Sequence, residues 1–200
     1  MIGRLTGKIL EKIPPQLLLE VNGVGYEVEA PLSTFFNLPE VGTDISLRMH
    51  MIVREDAQLL YGFYSEAERS LFRALIKING IGAKVALAIL SGMQPEEFAI
   101  CVESRDISSL TRIPGIGKKT AERLLVEIKD KLTDIISTSA SLTKTSETGI
   151  TIHNHSGDAV HALVALGYKT ADAEKMVKKA YSAELSTEEI IRTALKSTTR

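Results

Sequence analysis

A short glycine-containing pattern occurs twice in this chain, and the repeat constrains the fold more than any other feature. The first copy is INGIGAK (Ile78–Lys84), and the second, thirty-five residues later, is IPGIGKK (Ile113–Lys119). A period of this size indicates a repeated supersecondary unit. Each copy follows one short amphipathic stretch and precedes another, which predicts a helix, a Gly-x-Gly turn and a second helix in both places.

The two glycines of each copy suit a turn that holds an anion. Glycines two apart, Gly80 with Gly82 and Gly115 with Gly117, allow positive φ and a close approach of the backbone to a ligand. Free N–H groups at the start of the following helix then form an anion-binding nest. Because the turn is duplicated, it can hold one phosphate on each strand of a duplex. The pattern predicts a paired helix-hairpin-helix DNA-binding module.

Two nucleotide-binding folds with glycine-rich loops do not fit. A dinucleotide-binding fold needs a strand and a third glycine in register, whereas Leu71, Leu75 and Ile78 have helical spacing. A P-loop needs a glycine five residues before its Gly-Lys pair, and Arg112 stands there. Two unrelated glycine turns are the remaining alternative. Lysines at a helix start argue against it, since they oppose the helix dipole unless an anion binds there.

The predicted phosphate contacts are the glycine pairs and the cations beside them. Backbone N–H groups position a strand and cations provide affinity, and neither reads the base sequence. The second hairpin should attract DNA more strongly, because Lys118 corresponds to Ala83 in the first. The candidate DNA-binding residues of the hairpins are Gly80, Gly82, Lys84, Gly115, Gly117, Lys118, Lys119 and Arg123.

The composition limits the class of protein but does not indicate a specific function. A formal net charge of −1 gives no global attraction for nucleic acid, so DNA binding must depend on local cations. The single cysteine, Cys101, excludes an internal disulfide and suits a small buried side chain in a reducing compartment. Without a recognisable signal peptide or long apolar run, the sequence predicts a soluble, intracellular protein with no membrane partner.

No catalytic, metal or cofactor site is predicted. The histidines lack cysteine or carboxylate partners at ligand spacing; they are His50, His153, His155 and His161. A DNA repair enzyme built on helix-hairpin-helix units would need a catalytic lysine or carboxylate set, and none is recognisable. Because the chain has no P-loop, any movement of DNA must be powered by another protein.

The first 63 residues have the pattern of a small β-barrel. Asn22-Gly23 is a strong hairpin signal between two apolar runs. Five predicted strands favour a closed barrel of the OB type, with an SH3-like barrel as the alternative; they are Ile2–Leu10, Leu17–Val21, Val24–Glu29, Ile45–Val53 and Leu59–Phe63. An OB-fold that binds single strands would carry more surface aromatics than Tyr26, Phe35 and Phe36, which mostly suit a core.

Two helical regions follow, so the predicted fold class is a multidomain α and β protein. A capping box that begins at Ser65 starts a helix-hairpin-helix domain over residues 64–136. Residues 137–155 are too polar to pack and predict a flexible linker. Residues 156–200, with a second capping box at Ser186, predict a small three-helix bundle. A bundle of this size on a tether typically binds a partner.

Several segments together resemble RuvA, the family of Holliday-junction-binding subunits of the bacterial RuvAB branch-migration machine. They are Met1–Gly3, Arg54–Asp56, Leu60–Phe63, both hairpins and Ala165–Tyr168, and they span all three predicted domains in order. The resemblance implies a cytoplasmic, non-catalytic homotetramer that binds four-way DNA junctions in recombination, DNA repair and the SOS response. It also implies that the RuvB ATPase ring is recruited, giving a complex that acts as an ATP-dependent DNA helicase.

The resemblance assigns a role to the acidic turn before the last predicted strand. Glu55 and Asp56 match an acidic pin at the junction centre, which repels phosphates and discourages binding of continuous duplex. From the residues alone, an ordinary solvated acidic turn is the favoured interpretation of this pair. Arg54 is a candidate for a junction phosphate, or for a weak surface pair with Glu55.

The resemblance also assigns a partner surface. Leu163, Leu166 and Tyr168 match positions expected to contact RuvB, although the leucines also suit the core of a small bundle. The sequence leaves open whether one tetramer or two, as an octamer, enclose the junction. It also leaves open whether a RuvC nuclease shares the complex.

Overall fold

The computed structural model describes residues 1–142, 155–180 and 185–198. They belong to two compact units, Met1–Ser146 and Glu147–Arg200. The first unit contains both the predicted barrel and the predicted hairpin domain, so these two regions pack against each other. The second unit contains the predicted bundle.

The N-terminal region is a closed five-stranded barrel with the strand order β1-β2-β3-β5-β4. A parallel pairing of β3 with β5 closes it, and the other neighbours are antiparallel. The predicted OB-type barrel is thereby confirmed. The strands are β1 (Arg4–Ile13), β2 (Gln16–Val21), β3 (Val24–Glu29), β4 (Asp44–Val53) and β5 (Gln58–Phe63).

The strand boundaries follow from turn chemistry and pairing. Asn22 and Gly23 have φ of 51° and 82°, as a two-residue hairpin turn requires, and the predicted hairpin is confirmed. Strand β1 continues to Ile13 rather than ending at Leu10, because it pairs with β2 as far as Gln16. Alternate residues of β1, β2 and β4 fill the barrel core, including Ile9, Leu17, Leu19, Leu47 and Met49.

A short helix that the sequence did not predict, α1 (Leu32–Phe36), lies between β3 and β4. Its five residues are too few to show a helical period. Phe35 is buried in the barrel core, whereas Phe36 is 81% exposed. The expectation that Phe36 belongs to the core is wrong, because neighbouring residues on a helix point about 100° apart.

Helices α2 to α6 make up the rest of the described part of the first unit, and their starts follow the predicted signals. Ser65 caps the first helix in a complete capping box with Glu68, and Pro95 occupies a first-turn position. Aromatic rings join the barrel to the helices: Phe72 lies 5.0 Å from Tyr61 and 4.9 Å from Phe63, measured between centroids. The helices are α2 (Glu66–Leu75), α3 (Ala83–Gly92), α4 (Pro95–Glu103), α5 (Ile107–Thr111) and α6 (Lys118–Leu142).

The predicted linker begins too early in the chain. Helix α6 continues to Leu142, so residues 137–142 are helical rather than part of a flexible linker. Polar residues can extend a helix without packing, because elongation adds one hydrogen bond per residue and needs no new nucleus. The remainder of the predicted linker, residues 143–154, lies outside the described residues.

The second unit is a three-helix bundle, as predicted. Helix α7 (His155–Ala165) begins one residue before the predicted domain start and is followed by α8 (Thr170–Ala180) and α9 (Thr187–Thr198). Gly167 ends the first helical segment with φ of 99°, and Ser186 forms the expected capping contacts with Glu189. The buried core consists of Ala159, Leu163, Ala173, Val177, Ile190 and Ala194.

Candidate nucleic-acid interface

The two glycine turns have the same backbone geometry. The N–H of Ile81 donates to the carbonyl of Ile78 at 3.0 Å, and the equivalent Ile116 to Ile113 bond measures 3.1 Å. The first helical bond after each turn also repeats, from Ala86 to Gly82 at 3.0 Å and from Ala121 to Gly117 at 2.9 Å. The sequence repeat is therefore a structural repeat, in which α2 and α3 correspond to α5 and α6.

Isoleucines hold both turns against the hydrophobic core. Ile78 and Ile81 are 2% and 4% exposed, and Ile113 and Ile116 are 7% and 5% exposed. These four side chains belong to one core cluster with α2, α3 and α6. Because the isoleucines point inward, the glycines between them lie on the surface.

The two glycines of each turn have different conformations, which corrects the simple expectation of positive φ. Gly80 and Gly115 have φ of 91° and 88°. Gly82 instead is extended, with φ of −88°, and occupies the N-cap of α3. No atom lies within 4 Å of a Cβ built at Gly82 or Gly117. The second glycine therefore leaves open space at a helix start, rather than enabling a left-handed turn.

The helix starts beside these glycines are suited to an anion. Gly82 supplies no side-chain hydrogen bond to α3, and neither α3 nor α6 has an acidic residue in its first turn. In contrast, α2 and α4 carry two glutamates each in that turn. Since a carboxylate there would compete with an outside anion, its absence from the hairpin helices favours phosphate binding.

The predicted hairpin cations are all at the surface. Lys84, Lys118, Lys119 and Arg123 are exposed. Among the described residues, salt bridges form at Arg48, Arg69 and Arg192, and the hairpin cations take part in none of them. Their charge is available to a polyanion at the glycine turns.

Arg123 also makes a contact that the sequence did not predict. Its Nη1 donates a hydrogen bond to the backbone carbonyl of Asn79 at 3.3 Å. Val85 of the first hairpin also faces the second, since a Cβ at Gly115 would lie 3.2 Å from its Cγ2. The two turns therefore lie side by side, with Arg123 linking them. Arg123 and Asn79 lie 44 residues apart in the chain, so this hydrogen bond is visible only in the three-dimensional structure.

The acidic turn lies at one end of the barrel, between β4 and β5. Arg54, Glu55 and Asp56 are exposed, and the N–H of Arg54 donates to the carbonyl of Ala57 at 2.8 Å. In the part of the chain that the structure describes, no salt bridge joins Arg54 to Glu55, so the three charges face solvent separately. Burial and then Glu29 raise the pKa of the Tyr61 phenol, and the Arg54 charge opposes them.

The partner residues predicted on the bundle have different environments. Leu163 is fully buried in the bundle core, and its contact with a partner stays a prediction. Leu166 is 63% exposed, and Tyr168 is half-buried against that core. Val164, which the sequence analysis did not single out, is 39% exposed. The candidate partner surface therefore lies at and just after the end of α7 and consists of the exposed Val164 and Leu166 with the half-buried Tyr168.

The described residues contain no group of three or more His, Cys, Asp or Glu side chains that could hold a metal ion. His50 Nδ1 accepts a hydrogen bond from Arg73 Nε at 3.2 Å, and burial, followed by Arg73 and Arg69, lowers the pKa of His50. Cys101 is a buried free thiol whose pKa is raised by burial. His153 lies outside the described residues.

None of the described helices reaches by itself the length and hydropathy that crossing a membrane requires. Helices α3 and α4 meet those limits only when taken together, and a bend of 95° separates them.

Three family models match the chain in the order of its regions. The RuvA N terminal domain matches residues 1–62, a SAM-like helix-hairpin-helix tandem matches residues 72–130, and the RuvA C-terminal domain matches residues 154–197. The helix-hairpin-helix match covers both glycine turns.

Curated relatives are similar over nearly their whole length. A Holliday junction branch migration complex subunit RuvA from Actinobacillus pleuropneumoniae is 52% identical, covering 98% of this chain and 99% of its own. The protein of the same name from Vibrio cholerae is 50% identical over 98% and 99% of the two chains, and that from Pseudomonas aeruginosa is 52% identical over 98% of each. Together with the barrel, the paired hairpins and the bundle, this similarity shows that the chain belongs to the RuvA family.

Proposed function

We propose that this chain is the non-catalytic, junction-binding subunit of a Holliday junction branch migration complex. The observation that carries the proposal is the pair of hairpins with equal backbone geometry, open helix starts and exposed cations. The names of the relatives support the same conclusion. The work of the protein is then to recognise DNA shape and to recruit a motor.

The hairpins bind DNA through its backbone. Each turn offers the N–H groups of a helix start to a phosphate, while Lys84, Lys118 and Lys119 supply charge that releases counterions. Neither contact reads a base edge, so binding is independent of sequence. This property suits a protein that must remain bound while the junction moves along DNA.

The acidic turn selects the shape of the DNA. Glu55 and Asp56 are exposed carboxylates that repel phosphates brought close to them. At a separation of about 6 Å, two unit charges interact by roughly 0.7 kcal/mol in bulk water and about 3 kcal/mol at an effective dielectric constant of 20. A repulsion of this size disfavours continuous duplex over an open junction centre without abolishing the attraction of the hairpins.

The second unit recruits the ATPase that drives migration. Leu166, Val164 and Tyr168 offer apolar area at the end of α7 for a RuvB-type ring. We further propose that four copies assemble around one junction, since a four-fold assembly matches the four arms. The resulting complex acts as an ATP-dependent DNA helicase, and a second tetramer or a RuvC nuclease would bind to this assembly.

One binding comparison tests the proposal. Gel shifts with a four-way junction, a duplex of equal arm length and a single strand are run at one salt concentration. We expect the tightest binding for the junction. Equal affinity for all three would contradict shape selection, and a preference for the single strand would favour an OB-fold strand binder instead.

A further inference from the structure

A buried carboxylate lies at the joint between the barrel and the first hairpin helix. Glu68 is only 4% exposed. Its Oε2 accepts hydrogen bonds from the N–H groups of Tyr64 at 3.0 Å and Ser65 at 3.1 Å, and from Thr34 Oγ1 at 3.3 Å. Its Oε1 accepts a short hydrogen bond from Ser33 Oγ. Four donors thus surround one side chain.

This arrangement exceeds what a helix cap needs. The equivalent capping glutamates of α4 and α9, Glu97 and Glu189, make their capping bonds at the surface. In α2 the carboxylate is buried and gains two hydroxyl donors from α1, thirty-four and thirty-five residues earlier in the chain. Because a buried charge is costly unless its donors are in place, the donors restrict the carboxylate to one geometry.

The joint lies between the two surfaces proposed to contact DNA. Strand β5 runs from the acidic turn to the joint, and α2 runs from the joint to the first glycine turn. Glu68 binds the backbone on the barrel side at Tyr64 and the hydroxyls of α1, while its own backbone belongs to α2. The direction of α2 relative to β5 therefore depends on these hydrogen bonds. That direction in turn sets the distance from the acidic turn to the hairpins.

We propose that Glu68 is a positioning residue for shape selection, acting with Ser33 and Thr34. The network holds Glu55 and Asp56 at a fixed position relative to the hairpins, and this position decides how strongly duplex is repelled. The inference rests on the proposed function. Glu68 itself is buried and touches no DNA, so its effect reaches DNA only through the acidic turn.

The sharpest variant removes the α1 donors and retains the cap. Ser33→Ala with Thr34→Val deletes two hydroxyls from the network but preserves the Ser65–Glu68 capping box. The matched control is Thr6→Val with Ser46→Ala, which removes the same atoms from a 3.0 Å hydrogen bond on the barrel surface. We expect the ratio of junction to duplex affinity to fall at least about threefold in the first variant, because Coulomb repulsion changes with distance. The control should keep the original ratio.

A double-mutant cycle connects the network to the acidic turn. In a Glu55→Gln, Asp56→Asn background the charges being positioned are gone, so the Ser33 and Thr34 changes should not alter the ratio further. The salt dependence should stay the same in every variant, since the hairpin cations are intact. A loss of equal size in both backgrounds would overturn the proposal, because the network would then act without the acidic turn.

A measurement without DNA separates this proposal from the proposed function. Spin labels at Asp56→Cys and Lys118→Cys, in a Cys101→Ala background diluted with unlabelled protein, report the distance between the two surfaces. We expect the distance distribution to broaden or shift when Ser33 and Thr34 are changed. An unchanged distribution overturns the positioning role. If the distribution changes but the original protein shows no junction preference, the proposed function fails and the rigid joint stands.

Discussion

Arg123 illustrates how one side chain can serve two contacts. Its position in the repeat assigned it to the second hairpin, whereas the structure also links it to the Asn79 carbonyl of the first. A guanidinium has five N–H donors, so one bond to a carbonyl leaves others free for a phosphate. Arg123 is thus placed to hold the hairpins together while contributing charge.

Removing two hairpin cations should weaken all DNA binding. For Lys119→Ala with Arg123→Ala, we expect the slope of log affinity against log salt to fall by about 0.9 for each lost phosphate contact. Gel shifts over a range of salt concentrations measure this slope. The control is Lys8→Ala, an exposed lysine on barrel strand β1. An unchanged slope in the double variant would remove the second hairpin from the interface.

The acidic turn should affect duplex more than junction. Glu55→Gln with Asp56→Asn deletes two exposed charges and no buried contact, so the fold should be unaffected. We expect duplex affinity to rise by roughly three- to tenfold and junction affinity to rise less, because repulsion is lost where duplex lies closest. Titration of both DNAs at one salt concentration checks this. If duplex binding stays as weak as before, the turn is only a solvated loop.

The two glycines of the first turn should respond differently to substitution, because their backbone conformations differ. Gly80→Ala should lower the free energy of unfolding by about 1–2 kcal/mol, because a Cβ opposes its left-handed conformation. Gly82→Ala should leave stability nearly unchanged, since Gly82 is extended and has open space around it. The added methyl should nevertheless weaken junction binding by blocking the helix start.

Two measurements distinguish the glycine variants. Urea denaturation reports stability, and gel shifts at one salt concentration report binding. A Gly82→Ala protein that binds the junction as tightly as the original would show that no phosphate approaches this turn closely.

The sequence predicted elements wherever a local signal was strong. Alternating residues and the Asn22-Gly23 turn predicted the strands, and Ser65 predicted the start of α2. Helix α1 was missed because five residues show no period. The end of α6 was misplaced because polar composition was taken to stop a helix, although an existing helix extends readily.

The parts of the candidate site that lie within a short stretch of sequence could be predicted. The glycine turns and their lysines follow from a short repeated pattern, and their exposure matches the prediction. The bond from Arg123 to Asn79 and the network around Glu68 join residues far apart in the chain, so no local pattern contains them. The sequence left two roles open for Leu163, because an apolar residue on a helix has the same pattern whether it faces a core or a partner.

At the level of the whole molecule, the two units should be separable. Ending the chain after Lys144 removes the bundle and keeps all of α6, so the barrel and hairpins should fold unchanged. Junction binding and self-association should persist, as judged by gel shift and light scattering. Stimulation of the partner ATPase and ATP-driven branch migration should be lost, because the surface proposed to recruit the motor is gone.

A single substitution in the full-length chain tests the same proposed motor contact without removing the bundle. Leu166→Glu changes an exposed side chain and should not unfold the bundle, but it places a charge on the proposed apolar contact. We expect it to reduce ATPase stimulation as the truncation does. If the truncated protein still supports migration at a near-normal rate, the motor contact lies in the first unit.

Helix α6 begins at the second glycine turn and continues for 25 residues without interruption. At 1.5 Å per residue, such a helix is roughly 37 Å long. The last residue of the helix, Leu142, therefore lies several nanometres from the turn where a phosphate is proposed to bind. On the proposed function, α6 is anchored at its first turn on DNA, and its length keeps its last turn well away from the bound strands.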